Sequence, residues 1–151
     1  MLLLTAVAAP AAGDEEQRFA EGLAAYDAGD FETVIEAWQP LAEAGHLEAQ
    51  VSLAEVYLSG LGVAADPVLA VAWYRRAAES GDPVAQLNLG DLYARGLGVA
   101  RDPVEAFAWL DLAAQQGKRW AAARRDEIAP QLDAAQRAEA RTRIERYRLA
   151  E

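Results

Sequence analysis

The sequence predicts an all-α protein, a solenoid of about three antiparallel helix pairs closed by C-terminal capping helices. The main observation is an internal repeat: residues 47–82 align with residues 83–118 without a gap, and 18 of the 36 aligned positions are identical. A repeat of this length is typical of stacked helix pairs, each of which packs on a neighbour to bury its apolar face. Abundant alanine, and prolines placed mostly at predicted helix starts, also favour helices.

Signals for helix ends divide each repeat into two helices. An aspartate followed by proline favours a helix start, because the carboxylate caps free backbone N–H groups and the proline loses no hydrogen bond there. This pattern occurs at Asp66, Asp82 and Asp102. Glycines that favour left-handed caps stand at the opposite ends, at Gly60, Gly81, Gly96 and Gly117. We therefore expect helices near 47–59, 67–80, 83–95 and 103–116, with Asp102 and Glu105 forming a capping box.

Apolar side chains recur at helical spacing in both copies, which predicts one buried stripe on each helix. In the second helices the stripe consists of Ala70, Trp73, Tyr74 and Ala77, repeated as Ala106, Trp109, Leu110 and Ala113. In the first helices it consists of Ala49, Leu53, Ala54 and Tyr57, repeated as Ala85, Leu89, Gly90 and Tyr93. The small residues at positions 54 and 90 predict a close helix crossing.

An earlier, shorter unit precedes the two full copies. Tyr26 and Gly29 align with Tyr57 and Gly60 at an offset of 31 residues rather than 36. Residues 14–46 are therefore predicted to form a helix pair near 15–28 and 31–44 with a tight turn between the helices.

Residues 119–151 are predicted to form the C-terminal capping helices. The first should span 120–129 and end at Pro130, and the second should span about 134–149. Asp133 and Gln136 have the spacing of a capping box at the start of that last helix, which carries a narrow apolar stripe of Ala140, Ile144 and Tyr147. A solenoid needs a terminal element of this kind, with one polar face, to close its core.

Residues 1–13 differ from the rest of the chain. A short apolar run over 2–9 leads into Ala-x-Ala sites ending at Ala8 and Ala11, a pattern typical of an export signal. No Lys or Arg precedes the leucines, which leaves a loosely docked N-terminus or a lipid-facing anchor as alternatives. The run is too short to span a membrane. If the segment is an export signal, we expect a periplasmic or secreted protein, and otherwise a cytoplasmic one.

The chain carries a net charge of −10, unevenly distributed. Residues 1–117 hold 5 basic and 18 acidic side chains, whereas residues 118–151 hold 9 basic and 6 acidic ones. An acidic body repels nucleic acid and anionic lipid, so neither is an expected partner. Cysteine is absent, which excludes thiol nucleophiles, thiolate metal sites and disulfides.

The two copies resemble the Sel-one-like repeat, a relative of the tetratricopeptide repeat. The first copy carries the motif as Ala49, Gln50, Leu53, Tyr57, Gly60, Gly62, Val63, Asp66, Trp73, Ala77, Ala78 and Gly81. The second carries it as Ala85, Gln86, Leu89, Tyr93, Gly96, Gly98, Val99, Asp102, Trp109, Ala113, Ala114 and Gly117. The resemblance implies a right-handed superhelix that serves as a scaffold for protein–protein contact. A cysteine-rich branch of the family is linked to β-lactam hydrolysis, but this sequence lacks its paired cysteines.

The first helices are expected to line the concave surface of the solenoid, where a partner would bind. Their positions outside the core stripe share one helical face, and the two copies differ there. These candidate partner-binding residues are Glu48, Ser52, Glu55 and Ser59 in one copy, and Val84, Asn88, Asp91 and Arg95 in the other. We expect Asn88 and Arg95 to bind a peptide backbone or carboxylate, and Glu55 and Asp91 to select basic residues. The alternative is a plain solvated face.

Other features favour structural roles. The Gly-Leu-Gly-Val segments at 60–63 and 96–99 follow helices rather than strands, so Val63 and Val99 are expected to fill the core rather than frame a phosphate loop. His46 is expected in a turn or at a helix N-cap. For Trp73 and Trp109 core packing is favoured over a carbohydrate platform, and the role of Trp120 stays open. Arg137, Arg141 and Arg148 share one face of the last helix, which is expected to be solvated or to contact an acidic surface.

These observations favour a non-catalytic scaffold that binds a peptide or helix of another protein in its concave groove. No catalytic, metal-binding or cofactor-binding motif is found in the sequence. The alternatives are a cell-envelope hydrolase or its accessory protein, and a structural element that associates with itself. The identity of the partner and the oligomeric state stay open.

Overall fold

The computed structural model describes residues 12–149, which form helices and the turns between them. The helices are α1 (Ala12–Ala28), α2 (Phe31–Ala44), α3 (Leu47–Ser59), α4 (Pro67–Glu79), α5 (Pro83–Arg95), α6 (Pro103–Gln115), α7 (Arg119–Ile128) and α8 (Ala134–Arg148), with a 3₁₀ turn over Ala129–Gln131. The all-α prediction is confirmed, and no strand occurs within 12–149. Most of the predicted export segment lies outside the described residues; its last two, Ala12 and Gly13, belong to α1.

Three helix hairpins stack side by side in two layers. The hairpins are α1–α2, α3–α4 and α5–α6, and successive hairpins contact each other through α2 with α3 and α4 with α5. The first helices α1, α3 and α5 therefore form one layer, and α2, α4 and α6 form the other. This is the solenoid that the repeat predicts.

Capping groups start the helices where the sequence indicates. Asp66 Oδ1 accepts a hydrogen bond from the Leu69 N–H at 2.9 Å, and Asp82 Oδ1 accepts from the Ala85 N–H at 2.7 Å. His46 is the N-cap of α3, with Nδ1 accepting from the Ala49 N–H at 3.2 Å, so its predicted structural role is confirmed. The capping box of Asp133 and Gln136 also forms.

The predicted capping box of Asp102 and Glu105 is wrong, because only one of its two hydrogen bonds forms. Asp102 Oδ1 accepts from the Glu105 N–H at 3.0 Å, as expected for an N-cap. The Glu105 carboxylate, however, does not return to the Asp102 N–H, which donates instead to the Tyr93 carbonyl at 3.1 Å. Glu105 turns into the core, where α8 supplies its partners.

The apolar stripes form one continuous core. Trp73 and Trp109 are both buried, at 7% and 0% exposure, which confirms their predicted packing role. A Cβ on Gly90 would lie 2.7 Å from Leu110 Cγ, so the predicted close crossing of α5 and α6 also holds. The two repeat tyrosines differ: Tyr57 is half-buried and Tyr93 is buried, with the Arg75 guanidinium 5.5 Å from its ring centroid.

Glycines in the two Gly-Leu-Gly-Val loops allow each loop to pack closely against the preceding hairpin. A Cβ on Gly62 would lie 2.4 Å from Phe31 Cβ, and a Cβ on Gly98 would lie 2.2 Å from the Pro67 carbonyl oxygen. Phe31 and Pro67 are the first residues of α2 and α4, so both loops contact the same place in the unit before them. Val63 and Val99 pack against the core, as predicted.

A buried glutamine joins each repeat to the end of the previous hairpin. Gln50 Nε2 donates to the Ala42 carbonyl at 2.9 Å, and Gln86 Nε2 donates to the Ala78 carbonyl at 3.2 Å. Oε1 of Gln86 accepts from Gln116 Nε2 at 2.9 Å. In the earlier repeat Ser80 occupies the position of Gln116, and the buried Oε1 of Gln50 has no hydrogen-bond partner within the described chain.

We expect Ser80→Gln to stabilise the protein, because a longer amide at this position can donate to Gln50 Oε1 as Gln116 does to Gln86. A satisfied buried acceptor is worth about 1 kcal/mol in the free energy of unfolding. The reciprocal variant Gln116→Ser should lower that free energy by about the same amount. Urea denaturation followed by circular dichroism measures both changes. A midpoint for Ser80→Gln that does not rise would contradict an energetic cost of the unpaired oxygen.

Candidate functional site

The candidate partner-binding residues lie on the side of α3 and α5 opposite their buried stripe. Ser52, Asn88 and Asp91 are half-buried, and the others, Glu48, Glu55, Ser59, Val84 and Arg95, are exposed. The repeat places them in rows across the layer of first helices, since each position in α3 has its counterpart 36 residues later in α5. The structure therefore brings the two sets together on one surface.

Two shallow depressions that share Ser52 lie on this surface, where α1, α3 and the start of α5 meet. One of about 280 Å³ is lined by Phe19, Glu48, Val51, Ser52, Asp82 and Val84. A second of about 210 Å³ is lined by Leu23, Tyr26, Trp38, Ser52 and Glu55. We call this surface of α1, α3 and α5 the groove. Its floor is apolar and its rim carries carboxylates.

The layer of first helices continues onto α7, which was predicted from the sequence to be one of the C-terminal capping helices. Ala49, Ala85 and Ala121 lie 36 residues apart and are all fully buried, so α7 has the orientation of a fourth first helix. Arg124 of α7 contacts Asp91 of α5 directly, with Nη2 2.8 Å from Oδ1. This regular spacing of buried alanines is the sequence signal that could have revealed the role of α7.

Trp120 is the exposed residue of α7 that continues the row of Glu48 and Val84. Its side chain is 79% exposed, the most exposed tryptophan of the chain, since Trp38, Trp73 and Trp109 are all buried. The sequence left its role open, and the structure places it in the first turn of α7, where it lines a separate depression with Arg119 and Ala123.

Ion pairs change the roles expected of Asp91 and Arg95. Arg95 Nη1 lies 3.3 Å from Asp91 Oδ2, and Arg124 binds Asp91 Oδ1 through both Nε and Nη2. Arg124 also pairs with Glu127. Asp91 is therefore neutralised from two sides, and its expected selection of basic residues in a ligand is weakened.

The two glutamates of α3, Glu48 and Glu55, differ from Asp91 because they have no cationic partner within the described chain. Within the described chain, Glu48 and Glu55 form no ion pair or hydrogen bond through their side chains. Burial, and secondarily the negative charge of Glu55, raise the pKa of Tyr74 above its usual range. The α3 part of the groove therefore keeps its negative charge.

The C-terminal helix α8 closes the stack through a buried carboxylate. Glu105, 6% exposed, accepts hydrogen bonds from Trp109 Nε1 at 3.0 Å, from Arg143 Nη1 at 2.5 Å and from the Tyr147 hydroxyl. Arg143 also pairs with Asp102 at 3.0 Å. The Tyr147 ring stacks on Trp109 with centroids 4.0 Å apart. We call these five residues the tail clamp.

The tail clamp holds α8 against α6 rather than against its chain neighbour α7. α8 contacts mainly α6. Within the repeat units, by contrast, the second helices α2, α4 and α6 have few contacts with one another. α7 and α8 therefore do not form a fourth hairpin of the repeat type.

The three arginines predicted to share one face of α8 have different partners in the structure. Arg137 donates to the carbonyls of Leu132 and Ala129, Arg148 pairs with Glu145 and donates to Gln115, and Arg141 is exposed. The arginine that reaches the acidic body is Arg143, on another side of the helix. Sequence spacing could not single it out, because its partners lie about 40 residues earlier.

Residues 12–149 offer neither a metal site nor a membrane span. No group of three or more His, Cys, Asp or Glu side chains there is arranged to hold a metal ion. No helix in this range combines the length and the apolar character needed to cross a bilayer.

The fold and surface define a helical-repeat solenoid, and comparisons identify its family. The Sel1 repeat model matches residues 47–82 and 83–118. A Sel1 repeat protein from Oxalobacter formigenes is 38% identical, with a TM-score of 0.68, over 76% of this chain and 90% of that one. The chain belongs to the Sel1 repeat family. Proteins of this family generally act as protein–protein interaction scaffolds and are typically non-catalytic.

A second solved structure extends the likeness. A protective antigen present in uropathogenic Escherichia coli strains, which displays an SLR fold, is 32% identical with a TM-score of 0.82. The match covers 89% of this chain and 30% of that one, so this chain spans less than a third of that protein. No curated protein matches the chain.

We expect Arg143→Ala to destabilise the protein and to release α8, because Glu105 would lose a buried cationic partner. The loss should be about 2 kcal/mol, less than for a fully buried pair because Arg143 is partly exposed. Urea denaturation and hydrogen exchange of α8 measure the two effects. Arg141→Ala, on the same helix but exposed, is the matched control and should change neither. Equal effects of the two variants would contradict a role for the tail clamp.

We also expect acid to loosen α8. Burial favours the neutral form of Asp102, but backbone N–H groups and the Arg143 guanidinium outweigh it and lower the pKa of Asp102. Because this folded-state pKa lies below the unfolded value, Asp102 contributes stability above about pH 4 that is lost as the pH falls further. Hydrogen exchange of α8 between pH 6 and 3 measures the change. In Asp102→Asn, which keeps an N-cap, the acid sensitivity of α8 should decrease; an unchanged pH profile would assign it to other groups.

Proposed function

We propose that this protein is a non-catalytic scaffold that binds a segment of a partner protein in the groove. The observation that carries the proposal is that α1, α3 and α5 contribute to two adjoining depressions whose linings combine apolar side chains with carboxylates. A concave apolar surface with polar groups at its rim is the usual form of a peptide-binding site.

The pattern of variation between the repeats supports this function. Many core positions are the same in both copies, as at Ala49 and Ala85 or Trp73 and Trp109, and the others stay small or apolar, as at Tyr74 and Leu110. Groove positions differ, as at Ser52 and Asn88. Identical core residues let the hairpins stack, and different groove residues give each unit its own contact with a ligand.

Asn88 is the groove residue best suited to bind a peptide backbone. It is half-buried on α5, and its amide carries both donors and an acceptor. Ser52 holds the equivalent position on α3 and lines both depressions. These two half-buried side chains hold equivalent positions of α3 and α5, so both are available to a segment that lies across the two helices.

We further propose that the protein is exported and acts in the periplasm or outside the cell. The support is the apolar run over residues 2–9 and the Ala-x-Ala site that ends at Ala11. Cleavage after Ala11 would keep all the described residues of α1, Ala12–Ala28, in the mature protein. Mass spectrometry of the protein purified from its host measures the mature N-terminus: a start at Ala12 or Ala9 supports export, and an intact Met1 contradicts it.

We expect a photo-crosslinking amino acid placed in the groove to label a partner in the host cell. The variants carry it in place of Ser52 or Asn88. The control carries it in place of Val68, which is 67% exposed on α4 in the other layer. Groove variants should give the same discrete crosslinked partner, because both positions face one bound segment, and the control should not.

Crosslinks from position 68 alone, or equal labelling from all three positions, would contradict binding in the groove. Circular dichroism of each variant checks that the helices are intact, so that a negative result reports on binding rather than folding.

A further inference from the structure

Trp120 is an exposed indole in the first turn of α7. Its 79% exposure contrasts with the burial of the other three tryptophans, and no repeat position requires a tryptophan there. Leu23 and Val84 are further exposed apolar side chains of the same layer, at 46% and 37%. Exposed tryptophan beside an apolar surface is typical of an energetically important binding residue.

The row that contains Trp120 changes character along the groove. Its members are Glu48 on α3, Val84 on α5 and Trp120 on α7, each 36 residues after the last. A ligand lying across the layer therefore contacts a carboxylate first, then an aliphatic side chain and then an indole. Identical units would not produce this gradient.

The electrostatic charge also changes along the groove, because carboxylates are paired with arginines near α7 but not on α3. Glu48 and Glu55 make no ion pair within the described chain, whereas Arg124 neutralises Asp91 and Glu127 near Trp120. Arg119 lies directly beside Trp120 in sequence. The groove is therefore negative at α3, and neutral to positive at α7.

Helix spacing gives the distance between the two ends. Helices in direct contact lie about 10 Å apart, and since α5 contacts α7 whereas α3 and α5 are joined mainly through α4, the two steps from α3 to α7 span at least about 20 Å. An extended chain advances about 3.3 Å per residue, so about six residues cover this distance.

We propose that the groove binds an extended peptide in which a Lys or Arg lies about six residues from a large apolar side chain. The basic residue pairs with Glu48, Glu55 two helical turns further along α3 adds to the negative potential, and the apolar residue packs on Trp120. This inference rests on the proposed function and adds the chemistry and the direction of the ligand. Charge complementarity selects this occupant over an acidic peptide or an anionic surface.

The fluorescence of Trp120 can be used to measure peptide binding. Because the other tryptophans are buried, acrylamide quenching of tryptophan fluorescence reports mainly on Trp120. The ligand is a synthetic ten-residue peptide of Ser, Ala and Gln with one Lys and, six residues later, one Leu. Three matched peptides replace the Lys by Glu, replace the Leu by Ser, or shorten the spacing to three residues. Binding of the first peptide should protect Trp120 from quenching, with affinity at least about ten-fold above that of each matched peptide.

Two sets of variants test the two ends separately. Glu48→Gln combined with Glu55→Gln should weaken binding of the Lys–Leu peptide about ten-fold and remove its salt dependence. Glu32→Gln combined with Glu36→Gln, an exposed pair on α2, is the control and should change neither. Trp120→Ala should weaken binding of the same peptide, measured by anisotropy of a labelled copy, and leave the helical content unchanged.

The outcomes separate this inference from the proposed function. If groove positions crosslink a partner but the Lys–Leu peptide binds no better than its matched peptides, the inference is wrong and groove binding stands. Protection of Trp120 that depends on protein concentration without peptide would identify a second copy of this chain as the occupant and overturn the inference. Absence of groove crosslinks together with absence of peptide binding overturns both.

Discussion

The structure depends on one constraint: no hairpin of this chain can bury its apolar stripe alone. Each must dock on a neighbour, and the docking geometry is set by contacts that repeat with the sequence. The buried amides of Gln50 and Gln86 bind the carbonyls at the end of the preceding hairpin. Gly62 and Gly98 allow the loops to approach the first residue of α2 and α4. Because the docking contacts repeat, the hairpins keep one orientation and their first helices form a single surface.

A stack of this kind also has to end, and the tail clamp ends it. Glu105 has a local role available as a capping residue, yet its carboxylate is buried with Arg143 and Tyr147. A buried carboxylate is favourable only with such partners, so the position of α8 follows from the charge on α6. With α8 held on α6, α7 remains at the end of the groove as a first helix without a hairpin partner of its own. The contact of α8 with α6 therefore closes the core, while the contacts of α7 with α5 and α6 extend the layer of first helices.

Most of the fold was predictable because its signals are local. Caps at Asp66 and Asp82 and the apolar spacing around Trp73 determine helix ends and faces within one or two turns of chain. Much of the candidate site was predictable too, since equal spacing places Ser52 and Asn88 on one surface. The pairing of Asp91 was not, because Arg124 lies 33 residues later and approaches only when α7 docks.

By itself, the sequence determined that the chain is a helical-repeat solenoid and which helix face is buried, because a 36-residue period and helical spacing of apolar residues admit few other arrangements. The tertiary structure alone decided which charges are free. Glu48 and Asp91 are both carboxylates in the same kind of row, but only Asp91 meets an arginine from another helix. It also decided that Trp109 is covered and Trp120 is not, since a tyrosine from α8 reaches only the first of them. Such outcomes depend on where distant segments dock, which no local pattern records.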